Sequence, residues 1–183
     1  MRIVVCVKHV PDMQSERRFE GGRLVRGEDD VLNELDENAI EAAVQLKESE
    51  EDAGREAEVV ALTMGPEDAE DSLMRALQMG ADRAFIVSDE FLEGSDVITT
   101  ASVLSVAIAK IAQECGPVDL VITGMASLDA MTSMMPAALA AKAHMPLLGL
   151  ARSLNVEDGV LMIERAVDGY TETVRAALPA VVS

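Results

Sequence analysis

The run Thr123-Gly124-Met125-Ala126-Ser127-Leu128-Asp129-Ala130-Met131-Thr132 gathers more chemistry than any other stretch of this 183-residue sequence. Its small residues let backbone come close to a ligand. The hydroxyls of Ser127, Thr132 and Ser133, with N–H groups at the start of a following helix, suit a phosphate. Asp129 is placed either to bond a ribose hydroxyl or to cap that helix. Most other signatures of catalysis are missing. No G-x-G-x-x-G follows the first apolar run, and G-x-x-x-x-G-K-[ST], G-x-S-x-G and H-E-x-x-H do not occur. His9 and His144 have no visible triad partners. Cys6 and Cys115 stand too far apart in sequence for a zinc motif or a disulfide framework, so no metal site is expected. Cys6 sits inside an apolar strand and reads as a small buried hydrophobe rather than a nucleophile. Methionines spread singly read as gap-filling core, whereas Met131, Met134 and Met135 cluster just past a strand tip.

Those residues need a scaffold, and the apolar pattern describes one. Ile3 to Val7, Glu58 to Thr63, Ala84 to Val87 and Val118 to Thr123 are short runs suited to strands buried on both faces. Between them lie helical patterns. Asn33 or Asp36 can cap a helix carrying Ile40, Ala43, Val44 and Leu46, closed by an acidic run from Glu48 to Glu58 that reads as a solvated loop. Pro66 opens a helix with Leu73, Ala76 and Leu77 on one side. Val97, Ala101, Leu104, Ile108 and Ile111 mark another, and Met131 to Lys142 a last one. Residues 1–146 thus alternate strand and helix, which predicts a doubly wound, mostly parallel, Rossmann-like α/β sheet. Residues 10–30 form a charged, Gly-containing excursion with a short hairpin at Gly21-Gly22. Beyond 147 the texture changes to strands separated by Asp158-Gly159 and Asp168-Gly169, a β-meander extension over 147–183. The last residues end on an apolar strand, so the chain reads as a piece of a longer polypeptide.

Charge excludes some partners. The 33 acidic and 15 basic residues give a net charge of −18, without the basic footprint of a nucleic-acid binder and repelled by anionic lipid. Apolar stretches are interrupted before the roughly 18 residues a membrane span needs, and no signal segment opens the chain. Two separated cysteines fit a reducing, cytoplasmic setting. In an open parallel sheet a ligand sits beyond the carboxyl ends of the strands. The tips here are 7–11, 63–66 and 123–132.

Five segments in order also carry a resemblance: VVCVKHVPD, LNELDENAIEAAVQLKE, ALTMGPEDAEDSLMRALQMGADRAFIV, DLVITGMASLD and ERAVDGYTETVRAALPAVVS. Together they resemble the small (beta) subunit of electron transfer flavoproteins. The resemblance implies an adenine-nucleotide-hydrolase-like fold and a heterodimer with a large alpha subunit. It implies one FAD, held mostly by that alpha subunit, and an AMP buried in the small subunit, replaced by a second FAD in bifurcating members. It implies flavin dehydrogenases as electron donors. By motif match, the nucleotide pocket would draw on Cys6, Asn33, Asp36, Met64, Thr123, Gly124, Ser127, Asp129, Met131 and Thr132, while Val10, Pro11 and Asp12 would face the partner. The loop departs from the common G-K-Q-A-I-D-D-D-x-x-Q-T-G: it reads GMASLDAMTSMMP, with fewer polar groups for a diphosphate.

Two other readings compete. One is an adenine-nucleotide-binding regulatory module that transfers no electrons, since a fold does not settle a function. The weaker one is a small enzyme of adenylate chemistry. It would need a phosphate-gripping loop at the first strand, and Val7-Lys8-His9-Val10 is not one.

Overall fold

The first two of those apolar runs become neighbours in one sheet. The computed structural model describes residues 1–183, in this order: β1 (Arg2–Cys6), β2 (His9–Pro11), β3 (Phe19–Glu20), β4 (Arg23–Leu24), β5 (Asp30–Leu32), α1 (Glu34–Asp52), β6 (Glu58–Met64), α2 (Glu70–Gln78), β7 (Arg83–Val87), α3 (Val97–Cys115), β8 (Leu120–Thr123), α4 (Met135–Ala143), β9 (Leu147–Leu148), β10 (Ser153–Glu157), β11 (Val160–Val167), β12 (Tyr170–Ala177) and β13 (Ala180–Val182).

The central sheet has the order β7-β6-β1-β8-β13-β9, and every pairing in it is parallel. Strands buried on both faces need apolar side chains pointing both ways. Ile3, Val4, Val5, Val59, Val60, Ala61 and Leu62 are accordingly sealed from solvent. Each fully buried Val, Ile or Leu contributes about 1.5–3 kcal/mol of transfer free energy. One face packs Val5, Ala61 and Ile122 under Ile40 and Ala43 of α1 and Leu73 of α2. The other packs Val4, Leu62 and Val121 under Leu104 and Ile108 of α3 and Leu139 of α4. The doubly wound sheet is thus as its strand-helix alternation predicts.

Several expectations are corrected. The α/β layer does not end at residue 146, because β9 and β13 both join the main sheet. Only β10-β11-β12 form the separate antiparallel meander. Its turns are the two Asp-Gly pairs, with φ of 51° and 74° at Asp158-Gly159 and 51° and 81° at Asp168-Gly169, the left-handed backbone of tight hairpins. The acidic run after Glu48 is not all loop. α1 continues to Asp52 because Arg55 folds back on Glu50, with Nε 2.8 Å from Oε2, and neutralises it. α4 begins at Met135 rather than Met131. By length and composition α3 is apolar enough to cross a membrane, yet its stripe Ala101, Leu104, Ile108 and Ile111 is spent on the sheet.

Candidate functional site

The chain leaves β1 to build β6 and β7 on one side, then returns to place β8 on the other. The order therefore reverses between β1 and β8, and a crevice opens at their carboxyl ends. Three segments converge there: the tip of β1 with Lys8, the start of α1, and residues 124–134 between β8 and α4.

Asp36 straddles the crevice. Its Oδ2 accepts the Lys8 N–H at 2.8 Å, and Gly124 packs closely against Oδ1. Burial pushes this carboxyl up to about 7, against the downward pull of Asn33, the Lys8 and Gly124 backbone and the Lys8 charge. Gly124 is there because nothing larger fits: a Cβ would lie 2.2 Å from Oδ1 of Asp36. Asn33 occupies the cap position of α1 but makes no side-chain cap bond. Its amide is committed across the chain instead. Nδ2 donates to the Ala126 carbonyl at 3.0 Å, and Oδ1 accepts the Leu128 N–H at 3.0 Å. Asn33 and Asp36 thus fasten the loop to α1.

Asp129 does not cap α4, whose N-terminal flank is Met134. Its carboxylate is 1% exposed and is held by two cations. Lys8 Nζ reaches Oδ2 at 2.8 Å and Oδ1 at 3.0 Å, and Arg26 bonds Oδ2 as well. Burial pushes the Asp129 carboxyl upward; Lys8, Arg26 and Ser127 outweigh that and hold it well below the usual carboxylate range. Ser127 Oγ lies 3.4 Å from Lys8 Nζ, and Arg17 donates to the Leu128 carbonyl at 2.9 Å.

Strand-tip side chains complete the rim. Thr123 sits beside Cys6 in register, and both are buried. Burial, with the Asp36 charge second, pushes the Cys6 thiol up to about 12, so it stays protonated and is no nucleophile. The hydroxyls of Thr123 and Thr63 are buried without a hydrogen-bond partner. Met64 is half-buried against the α3 face. Met131 and Thr132 are exposed, Met131 with φ of 50° and Thr132 accepting the Met134 N–H at 3.5 Å. Val10 is buried in the β2–β5 pairing, and Pro11 and Asp12 beside it are half-buried.

Residue-type reasoning missed Lys8, Arg17, Arg26 and Thr63. A signal for the cations was present, since Arg17, Arg18, Arg23 and Arg26 crowd one excursion of a chain with 15 basic residues among 33 acids. A second lay in two strand tips with a Thr one or two residues before a Gly, Thr63-Met64-Gly65 and Thr123-Gly124. Two other clefts lie away from the tips of β1 and β8, one of about 310 Å³ beside Glu16, Arg18 and Glu28 and one of about 350 Å³ between α3 and α4.

Chemically, the rim offers orphaned hydroxyls, close backbone and clustered cations to a polar, anionic ligand. It offers no base and nucleophile in contact. His9 Nδ1 lies 2.8 Å from Ser72 Oγ, but that serine is 1% exposed and out of reach of a substrate.

Known proteins share much of this sequence. The family model described as "Electron transfer flavoprotein domain" matches residues 22–183. The chain is 40% identical over 184 residues to an electron transfer flavoprotein subunit beta of Mycobacterium leprae, covering 99% of this chain and 68% of that protein. It is 34% identical over 181 residues to the caffeyl-CoA reductase-Etf complex subunit CarD of Acetobacterium woodii, covering 98% of this chain and 66% of that one. Protein FixA of Sinorhizobium fredii is 33% identical over 188 residues, with 100% of this chain and 64% of the relative covered.

Proposed function

Since the chain belongs to the electron transfer flavoprotein family, among its beta subunits, and has an electron-transfer role, we propose that it is the small subunit of a heterodimer. In this reading the larger partner is an alpha subunit that holds most of one FAD, and this chain binds AMP at the β1–β8 crevice. It acts as a carrier, not as an enzyme, receiving electrons from flavin dehydrogenases in the cytoplasm. The flavin supplies the redox chemistry when bound, and the protein supplies position and electrostatics.

One observation carries the nucleotide part. Thr63 and Thr123 bury unpartnered hydroxyls at the tips of β6 and β8, the two strands that flank β1, where an open α/β sheet binds its ligands. A buried hydroxyl without a partner costs about 1–3 kcal/mol. A ribose or base edge over the rim would give Thr123 a bond, while Thr63 lies on the opposite face of the sheet. Gly124 lets the ligand approach the backbone, and Asn33 with Asp36 holds the loop at the right height. The turn at Pro11 and Asp12 would lie toward the partner. The −18 surface would steer encounters with basic patches on redox partners.

Co-expression with an alpha subunit tests this. The purified complex is denatured, and released FAD and AMP are counted. One of each per dimer is the expected result. Two FAD and no AMP would replace the AMP assignment. A colourless complex that releases only AMP would support the nucleotide-sensing module instead.

A further inference from the structure

The residues 10–30 excursion is attached to the crevice through charge. Arg26 crosses to the Asp129 carboxylate and Arg17 to the Leu128 carbonyl, while Lys8 rises from β1 to the same carboxylate. We propose that Lys8 and Arg26 form an anion subsite on the crevice rim, and that it takes the phosphate of the adenine mononucleotide. This rests on the AMP reading above and assigns the residues that select its charged end.

Burial sets the geometry. The Asp129 side chain is 1% exposed, whereas those of Lys8 and Arg26 are 42% and 40% exposed. The carboxylate therefore holds both cations from beneath, and their remaining N–H donors face outward. Two positive charges meet one negative charge, so one is left over, in a chain whose net charge is −18. Arg17 adds another, since its guanidinium meets a carbonyl in the loop. An Arg fork and a Lys ammonium, pre-oriented by a shared carboxylate, suit the oxygens of a phosphate monoester.

Four of the loop's backbone donors are already committed. Its N–H groups at Ala130 and Met131 both donate to the Ser127 carbonyl, at 3.2 and 2.7 Å. Those of Leu128 and Met134 are taken by Asn33 and Thr132. Among the side chains at the rim, Lys8 is the best placed for a phosphate. Its backbone N–H is pinned to Asp36 in the crevice, and its ammonium ends beside Ser127 and Asp129.

The test is calorimetric titration of the full chain, stripped of nucleotide, with AMP and with adenosine. Wild type is compared with Arg26→Gln, Lys8→Gln and Arg26→Lys, each checked for an unchanged melting curve. The wild type should bind AMP at least tenfold more tightly than adenosine. Arg26→Gln and Lys8→Gln should each lose about tenfold in AMP affinity and leave adenosine within twofold, about 1.4 kcal/mol on the phosphate alone. Arg26→Lys should recover most of the loss. Equal affinity of the wild type for AMP and adenosine would overturn the subsite and leave the nucleotide reading standing. Parallel loss of both ligands in the variants would do the same. Failure of the wild type to bind either would overturn both.

Discussion

A methyl group on the Cα of Gly124 would lie 2.2 Å from Oδ1 of Asp36 and 3.1 Å from the carbonyl carbon and oxygen of Leu35. The end of β8 and the first turn of α1 thus meet with no room for a side chain. Two of those three atoms are backbone, which cannot swing aside. Gly124→Ala must separate strand from helix or twist the loop, and overpacking of this kind costs about 1–3 kcal/mol. The unfolding free energy from urea titration should drop by that amount, seen as a lower midpoint with an unchanged slope. AMP binding should weaken in parallel. A variant of wild-type stability would show that the two elements do not touch.

The same pairing makes stability depend on pH. Burial pushes the Asp36 carboxyl up to about 7, only partly offset by Asn33 and by the Lys8 and Gly124 backbone. An Asp in an unfolded chain titrates near 3.9, so between about pH 4 and 7 the folded chain holds one proton more. Stability contributed by this group is therefore full below pH 4, declines as pH rises to 7, and is level above. The limit is on the order of 4 kcal/mol. Asp36→Asn removes the titration while keeping an oxygen for the Lys8 N–H. Urea unfolding from pH 4.5 to 8 should show a flatter profile in the variant than in wild type. Superimposable profiles would refute this assignment.

Asn33 holds the loop with both ends of its amide, at 3.0 Å to the Ala126 carbonyl and 3.0 Å from the Leu128 nitrogen. The residue is 0% exposed, so Asn33→Ala leaves two partners unpaired with no water to replace it. The cost should be about 2–4 kcal/mol, from two buried groups left unsatisfied. Hydrogen exchange gives the sharper readout. The Leu128 amide should exchange far faster in the variant, while amides in β1 and β6 change only with global stability. Protection retained at Leu128 would mean that the loop is held by Lys8, Arg17 and Arg26 alone.

How much of this was legible in the sequence depends on range. Elements whose signal is local came through: the buried runs of β1, β6, β7 and β8, the stripe Ala101-Leu104-Ile108-Ile111, and the Asp-Gly hairpins. Gly124 and the strand-tip location followed from chemistry and fold class. What failed was long-range. Asp129 reads locally as a helix cap, yet its partners Lys8 and Arg26 lie 121 and 103 residues away, a pairing no periodicity encodes. Asn33 looks like a cap for the same reason, and its amide is spent on residues 93 and 95 positions on. The two residues of β9 are too few to show a pattern, and the strand exists because β13 offers it an edge.

Thr123 gives the case in which stability and binding should move in opposite directions. Its side chain is on the α3 face beside Cys6, 6% exposed, and its hydroxyl has no partner. Thr123→Val replaces that hydroxyl with a methyl group of nearly the same shape. The folded chain loses an unsatisfied polar group, so the variant should be more stable by about 1 kcal/mol. If the hydroxyl serves the nucleotide, AMP and adenosine should both bind some fivefold to tenfold more weakly, about 1–1.4 kcal/mol for one hydrogen bond. That separates Thr123 from Arg26, whose loss should spare adenosine. Thr63, 1% exposed at the tip of β6 and on the opposite face of the sheet, should show the stability gain as well. Melting curves with and without AMP suffice. Thr123→Val should melt above wild type when free and show a smaller shift on adding AMP. A variant that is destabilised and binds AMP normally would mean that its hydroxyl is bonded inside the fold and plays no part in the site.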